Sequence, residues 1–132
     1  PLAVTQATNF NAFAGFGTQR PNLVGKTELP KSERATARYF NTSAFATAAQ
    51  FTLGSSSRNP VRGPGYRNFD LAVIKRLPLR EKLNLEFRGE VFNLTNTPPL
   101  GAPNVVLNTP GFGSITSAGD PRVVQLAVKL NF

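Results

Sequence analysis

The sequence predicts an all-β fold of antiparallel strands, left as an incomplete sheet that needs partner strands, and three observations carry that prediction. The last eleven residues, Arg122-Val-Val-Gln-Leu-Ala-Val-Lys-Leu-Asn-Phe132, alternate from Val124 onward. Val124, Leu126, Val128, Leu130 and Phe132 fall on one parity and Gln125, Ala127, Lys129 and Asn131 on the other. A strand points successive side chains to opposite faces, so this segment has one apolar and one polar or small face. Second, residues 68–94 hold two more period-two runs across a short turn, the pattern of a β-hairpin. Third, eleven Gly and eleven Pro are spread through 132 residues, which favours short strands joined by turns and disfavours long helices.

Along the chain, residues 1–65 read as loop-rich with weak strands. Phe10, Phe13 and Phe16 lie three apart with Gly and Asn between them, a short helical turn or an aromatic-anchored loop. Residues 36–41 suit a strand and the Ala-rich 43–49 a helical turn about equally. Gly63-Pro64-Gly65 marks a tight bend, because a fixed φ sits between two permissive residues. It lacks the Gly-Lys-Ser/Thr of a phosphate-cradling loop.

Beyond the bend the pattern sharpens. Phe69, Leu71, Val73 and Leu77 share a face, Pro78-Leu-Arg-Glu-Lys82 reads as the turn, and Leu83, Leu85, Phe87 and Val91 continue the face. Placing Asp70 opposite Arg88 gives a favourable cross-strand charge pair, whereas a two-residue slip sets Asp70 against Glu90. Residues 96–121 form a long Pro/Gly loop, with a short strand expected at 113–118 and a turn at Gly119-Asp120-Pro121 leading into the terminal strand 122–132. The repeated Gly-Phe-Gly at 15–17 and 111–113 reads as coincidence.

Composition removes several functions. With no Cys and no His, disulfides, thiolate metal sites, the usual zinc sites and His-based nucleophile pairs are excluded. Seven carboxylates remain. Glu86 and Glu90 share a strand face about 13 Å apart, too wide for a glycosidase pair, whose carboxyls lie within about 10 Å. No catalytic, cofactor-binding or metal-ligating residue is assigned, and the chain is not read as an enzyme. The net charge of +8 divides evenly, six basic and two acidic groups in residues 1–60 and nine and five in 61–132. Without a basic stripe, a nucleic-acid module stacking bases on Tyr39, Tyr66 and exposed Phe ranks last of three readings. Lys75, Arg76, Arg80 and Lys82 cluster around one turn, as a solvated tip or near anionic lipid headgroups. No window approaches 18 apolar residues, which excludes a spanning helix but not barrel strands of about 9–11 residues.

The terminal strand resembles the C-terminal signal strand of bacterial outer-membrane β-barrels, with a final aromatic (Phe132), apolar Leu130, small Ala127 in place of the usual Gly, and polar Gln125. More widely, Tyr39-Phe-Asn-Thr-Ser-Ala-Phe45, Arg58-Asn-Pro-Val-Arg-Gly-Pro-Gly65, Asn68-Phe-Asp-Leu-Ala-Val-Ile-Lys75, Phe87-Arg-Gly-Glu-Val-Phe-Asn-Leu-Thr-Asn96 and Phe112-Gly-Ser-Ile-Thr-Ser-Ala-Gly-Asp-Pro-Arg122 appear in order. That series resembles the C-terminal end of TonB-dependent outer-membrane receptors of the kind with a carboxypeptidase-regulatory-like extension before the plug. The resemblance covers about residue 38 to the end and implies a barrel of about 22 strands around a plug, importing a scarce nutrient. It carries over no ligand-binding residue.

A chain with no Met that starts at Pro1-Leu-Ala-Val is expected to be one C-terminal fragment of a larger barrel protein. Three good strands are too few for even the smallest barrels, of about eight. Their edges, above all Val124, Leu126 and Val128, need either the remaining strands of the parent in the bacterial outer membrane or identical copies. The second reading is therefore a released fragment that self-assembles into an extracellular fibre. Lipid is a further expected partner. Ser55–Ser57 and the sequons Asn41-Thr-Ser43 and Asn93-Leu-Thr95 offer acceptors for glycans.

Overall fold

In the computed structural model the described residues are 1–8 and 18–132. Phe10, Phe13, Phe16 and the first Gly-Phe-Gly lie outside them. The described chain is all-β apart from two single turns of 3-10 helix, Lys31–Glu33 and Thr42–Ala44. It divides into two compact units, Pro1–Pro64 with Gly101–Ser117, and Gly65–Leu100 with Ala118–Phe132.

The first unit is mostly irregular chain. β1 (Thr5–Gln6) pairs parallel with β6 (Val106–Leu107), and β2 (Asn22–Leu23) pairs antiparallel with β3 (Phe45–Ala46). Its centre is Val4, Phe40, Ala44, Phe45, Val61 and Leu107, with Leu2, Val105 and Phe112 packed against them. Phe40, Phe45 and Phe112 meet edge to face at centroid separations of 5.3 to 5.9 Å. Such pairs contribute about 0.5–1.5 kcal/mol each beyond area burial. Gln6 and Gln19 are also buried. Gln6 donates to Gln19 at 2.7 Å and accepts the Ala48 N–H, and Gln19 donates to the carbonyls of Ala49 and Thr52. Buried amides are tolerated here because they satisfy irregular backbone that no ladder serves.

Of the two expectations for residues 36–49, neither a full strand nor a helix forms. The chain makes a tight reversal with reciprocal Ala35 and Arg38 backbone bonds, then the 3-10 turn, then β3. The strand expected at 113–118 is absent. Gly111 and Gly113 take φ of +75° and +85°, and the turn there returns Ser114 N–H to Gly111 C=O. Left-handed backbone of this kind interrupts a pleat and suits glycine.

The second unit is one antiparallel sheet, in the order β4 (Leu71–Arg80), β5 (Leu83–Phe92), β7 (Val123–Asn131). The hairpin and the terminal strand form as the alternation predicts. The register does not follow the Asp70–Arg88 expectation. Arg88 stands across from Ile74, and Leu71 from Val91. Pro78 is the reason. It does not open the turn but lies within β4, across from Asn84, and the reversal is the two-residue turn Glu81–Lys82. β4 is an edge strand of this sheet, where a missing N–H is tolerated. One extra residue, Leu79, is accommodated as a bulge between Pro78 and Arg80.

Candidate membrane-facing sheet

The two registers sort the side chains of the second unit onto two faces. On one lie Leu71, Val73, Lys75 and Leu77 of β4, then Leu85, Phe87, Gly89 and Val91, then Val124, Leu126, Val128 and Leu130. From Leu71 to Leu77 every row across this face is apolar except at Lys75 and Gly89. The face is also uncovered, with Leu126 at 81 % of its full exposure. An apolar surface this large and contiguous marks a contact with lipid or protein. Phe69, two residues before β4 on the same parity, and Phe132 after β7 bracket it, both exposed. Aromatic residues at both margins of an apolar band are what a membrane interface selects.

The opposite face carries the charges. Arg76 donates to Glu86 at 2.7 Å, with Lys129 on the far side of Glu86. Arg88 donates to Glu90 at 2.6 Å along the same strand. Ala127 lies directly across from Arg88 and Gln125 across from Glu90. The small Ala127 thus leaves room beside the guanidinium, and Gln125 places an amide beside a carboxylate. Phe92 and Val123 face each other at the end of this side, next to an open cleft of about 440 Å³ lined by Tyr66, Asn68, Asp70, Asn93 and Asp120.

The strands hold 10, 10 and 9 residues, within the roughly 9–11 that a tilted barrel strand needs to cross a bilayer. One end of the sheet is the short turn Glu81–Lys82, and Phe132 terminates there as well, because β7 runs antiparallel to β5. All long connections leave from the other end.

That other end is pinned by Asn93. Its backbone is left-handed, with φ of +50°. Its N–H donates to Asp70 Oδ1 at 2.8 Å, its side-chain amide donates to the Asp120 carbonyl at 3.1 Å, and its Oδ1 accepts the Thr97 N–H at 3.0 Å. Asn96, also left-handed, accepts the Arg122 N–H. One buried residue, through its backbone N–H and its side-chain amide, therefore ties together the entry to β4, the exit of β5 and the entry to β7. Asp70 serves this junction and accepts from Asn68, while Arg88 serves Glu90. The expected pair is replaced by two separate duties. The sequence signal for the junction is Asn at both 93 and 96 just past an alternating run, since Asn tolerates left-handed backbone. Asn93 is buried with its amide against the Asp120 carbonyl, which leaves little room for a glycan there. The Asn41 amide is engaged too, with the Lys26 carbonyl.

A family model described as outer membrane beta barrel domain matches residues 1–125, and the chain belongs to that family. Neither the curated proteins nor the solved structures gave a match.

Proposed function

We propose that this outer-membrane β-barrel chain supplies the last wall strands and outer loops of a TonB-dependent transporter, in a structural rather than catalytic role. The single observation that supports it best is the two-faced sheet. Its strands have bilayer-spanning length, an uncovered apolar face and a charged face with the pairs Arg76–Glu86 and Arg88–Glu90. In a barrel the first face meets lipid and the second lines the lumen. The polarity of the sheet agrees, since outer-membrane barrels have short periplasmic turns and long extracellular loops. β4 and β7 run parallel to each other across β5, so an antiparallel barrel closes them only through an odd number of further strands from the parent chain. The terminal residues Gln125, Ala127, Leu130 and Phe132 act in this reading as the assembly signal.

The test uses single cysteines in the complete outer-membrane protein, with any cysteine outside this cysteine-free chain replaced first. Cys at Leu126 is expected to react only with a lipid-soluble reagent, and Cys at Gln125 only with a water-soluble one. Equal labelling of both by the water-soluble reagent defeats the barrel reading. The transport part rests on energised uptake of a scarce nutrient that is restored by the wild-type gene and not by one lacking residues 123–132. Unchanged uptake defeats that part alone.

A second reading is favoured by the two outer edges, β4 and β7, which have no strand partner among the described residues. In a released fragment, antiparallel addition joins β7 to β7 or β4 to β4 through a two-fold axis. Successive copies then alternate in direction, which builds a fibre and not a membrane ring. Electron micrographs of the concentrated chain showing only single particles would end this reading.

A further inference from the structure

The apolar face of the sheet carries two cations. Lys75 lies across from Phe87, with Val128 beyond it, in the middle of the band. Arg80 arrives by another route. As far as Pro78, the even-numbered residues of β4 belong to the charged face. The bulge at Leu79 reverses that alternation, and Arg80 comes to stand across from Leu83, on the apolar side. Lys82 follows in the turn, beside Glu81.

The two faces treat their cations differently. On the charged face Arg76 and Arg88 each have a carboxylate within 2.7 Å. On the apolar face no position of β4, β5 or β7 is acidic. Lys75 and Arg80 have no ion pair among the described residues. A cation held in hydrocarbon is costly, and a bulge that turns an arginine toward lipid adds to the cost unless an anion meets it. Lys75 and Arg80 pair with Phe87 and Leu83, four residues apart on β5 because of the bulge, so they lie about 13 Å from each other along the sheet. Both have long stems that can lean toward a common level between them, as basic side chains near a membrane interface do. That level lies toward the short-turn end.

Taking the outer-membrane reading as its basis, the geometry points to a binding site for the phosphate of an anionic phospholipid in the periplasmic-side leaflet, held by Lys75 and Arg80 with Lys82 at its rim. The bulge is the device that builds it, because it brings a second cation to the face that has no acid.

The complete protein is reconstituted in vesicles of phosphatidylcholine with phosphatidylglycerol, extracted gently, and its retained lipid counted by native mass spectrometry. Wild-type protein is expected to keep phosphatidylglycerol over phosphatidylcholine. The double variant Lys75→Gln, Arg80→Gln is expected to lose about thirtyfold in that preference, the factor two surface cations contribute together. The charge-keeping double variant Lys75→Arg, Arg80→Lys retains it, which separates lost charge from lost folding, and so does Arg76→Gln on the other face. An unchanged preference in the double Gln variant overturns the site, as does cross-linking of Lys75 to an acidic protein in place of lipid. A protein that does not enter the vesicles overturns the barrel reading and the site with it, and protease protection identifies that case.

Discussion

The two units of this chain obey opposite solvent rules. All nine buried hydrophobic residues among the described ones, from Val4 to Ile115, belong to the first unit. In the second unit the one buried residue is polar, Asn93, and every large hydrophobic side chain stands partly or fully open. Cooperation among buried side chains holds the first together, whereas ladder bonds and a hydrogen-bonded corner hold the second. A sheet with no covered apolar face is poorly stable in water, since burial is the dominant favourable contribution to folding. The same surface is well matched to hydrocarbon. On the proposed barrel reading the first unit meets water and the second lipid, and each should be open to disturbance by itself.

The largest expected effect is in the first unit. Phe40→Ala removes a ring from the three-way edge-to-face cluster and leaves a cavity, at a cost of about 3–5 kcal/mol. Limited proteolysis should then cut within residues 18–64, while amide exchange in β5 stays slow. Loss of protection in both units at once would break the comparison. Next comes a test of the solvent itself. Leu126 and Leu53 are similarly exposed, at 81 % and 70 %, yet only Leu126 lies on the proposed lipid face. Leu126→Arg should destabilise the protein in vesicles by about 2–4 kcal/mol, and Leu53→Arg by no more than about 0.5 kcal/mol. Urea titration of the vesicle-folded protein measures both, and equal values would mean that both leucines face water.

A smaller effect is expected at the corner. Asn93→Ala removes the bonds to Asp120 and Thr97 and puts alanine at a φ of +50°, together worth about 1–3 kcal/mol. Asn93→Gly keeps the backbone conformation and loses only the side-chain bonds, so the difference between the two variants isolates the backbone share. The measurable sign is faster exchange of the Leu94 and Arg122 amides with the centre of β5 unchanged.

How much of this was legible in sequence follows the same division. The alternation in 68–94 and 122–132 shows the faces of the sheet directly, because period two is a local property of strands. Its register was not legible. Pro78 reads as a turn residue, and nothing local reports that β4 is an edge strand that accommodates a proline and a bulge. Moving the turn from Pro78 to Glu81–Lys82 slides the pairing and separates Asp70 from Arg88. The first unit was nearly opaque. Val4, Phe40, Val61 and Leu107 meet from distant parts of the chain and repeat with no period, so only the fold itself brings them together. Asn93 was visible as a strand end and a sequon, but its three-way role depends on Asp120 and Asp70 arriving from elsewhere.

The smallest stability effect belongs to the residue that the terminal strand makes most conspicuous. Phe132 is 98 % exposed and lies beyond the last register pair of β7. Having no packing to lose, Phe132→Ala should shift the stability of the folded barrel by no more than about 0.5 kcal/mol. If Phe132 is the end of an assembly signal, the amount of protein reaching the outer membrane should nevertheless fall severalfold. Leu130→Ala provides the contrast, because Leu130 faces Leu85 across the ladder and should lower stability as well as yield. Urea midpoints of the purified protein and the quantity recovered from outer-membrane fractions separate the two behaviours. A Phe132→Ala protein with normal recovery would remove the signal role and leave the terminal aromatic as part of the interfacial girdle alone.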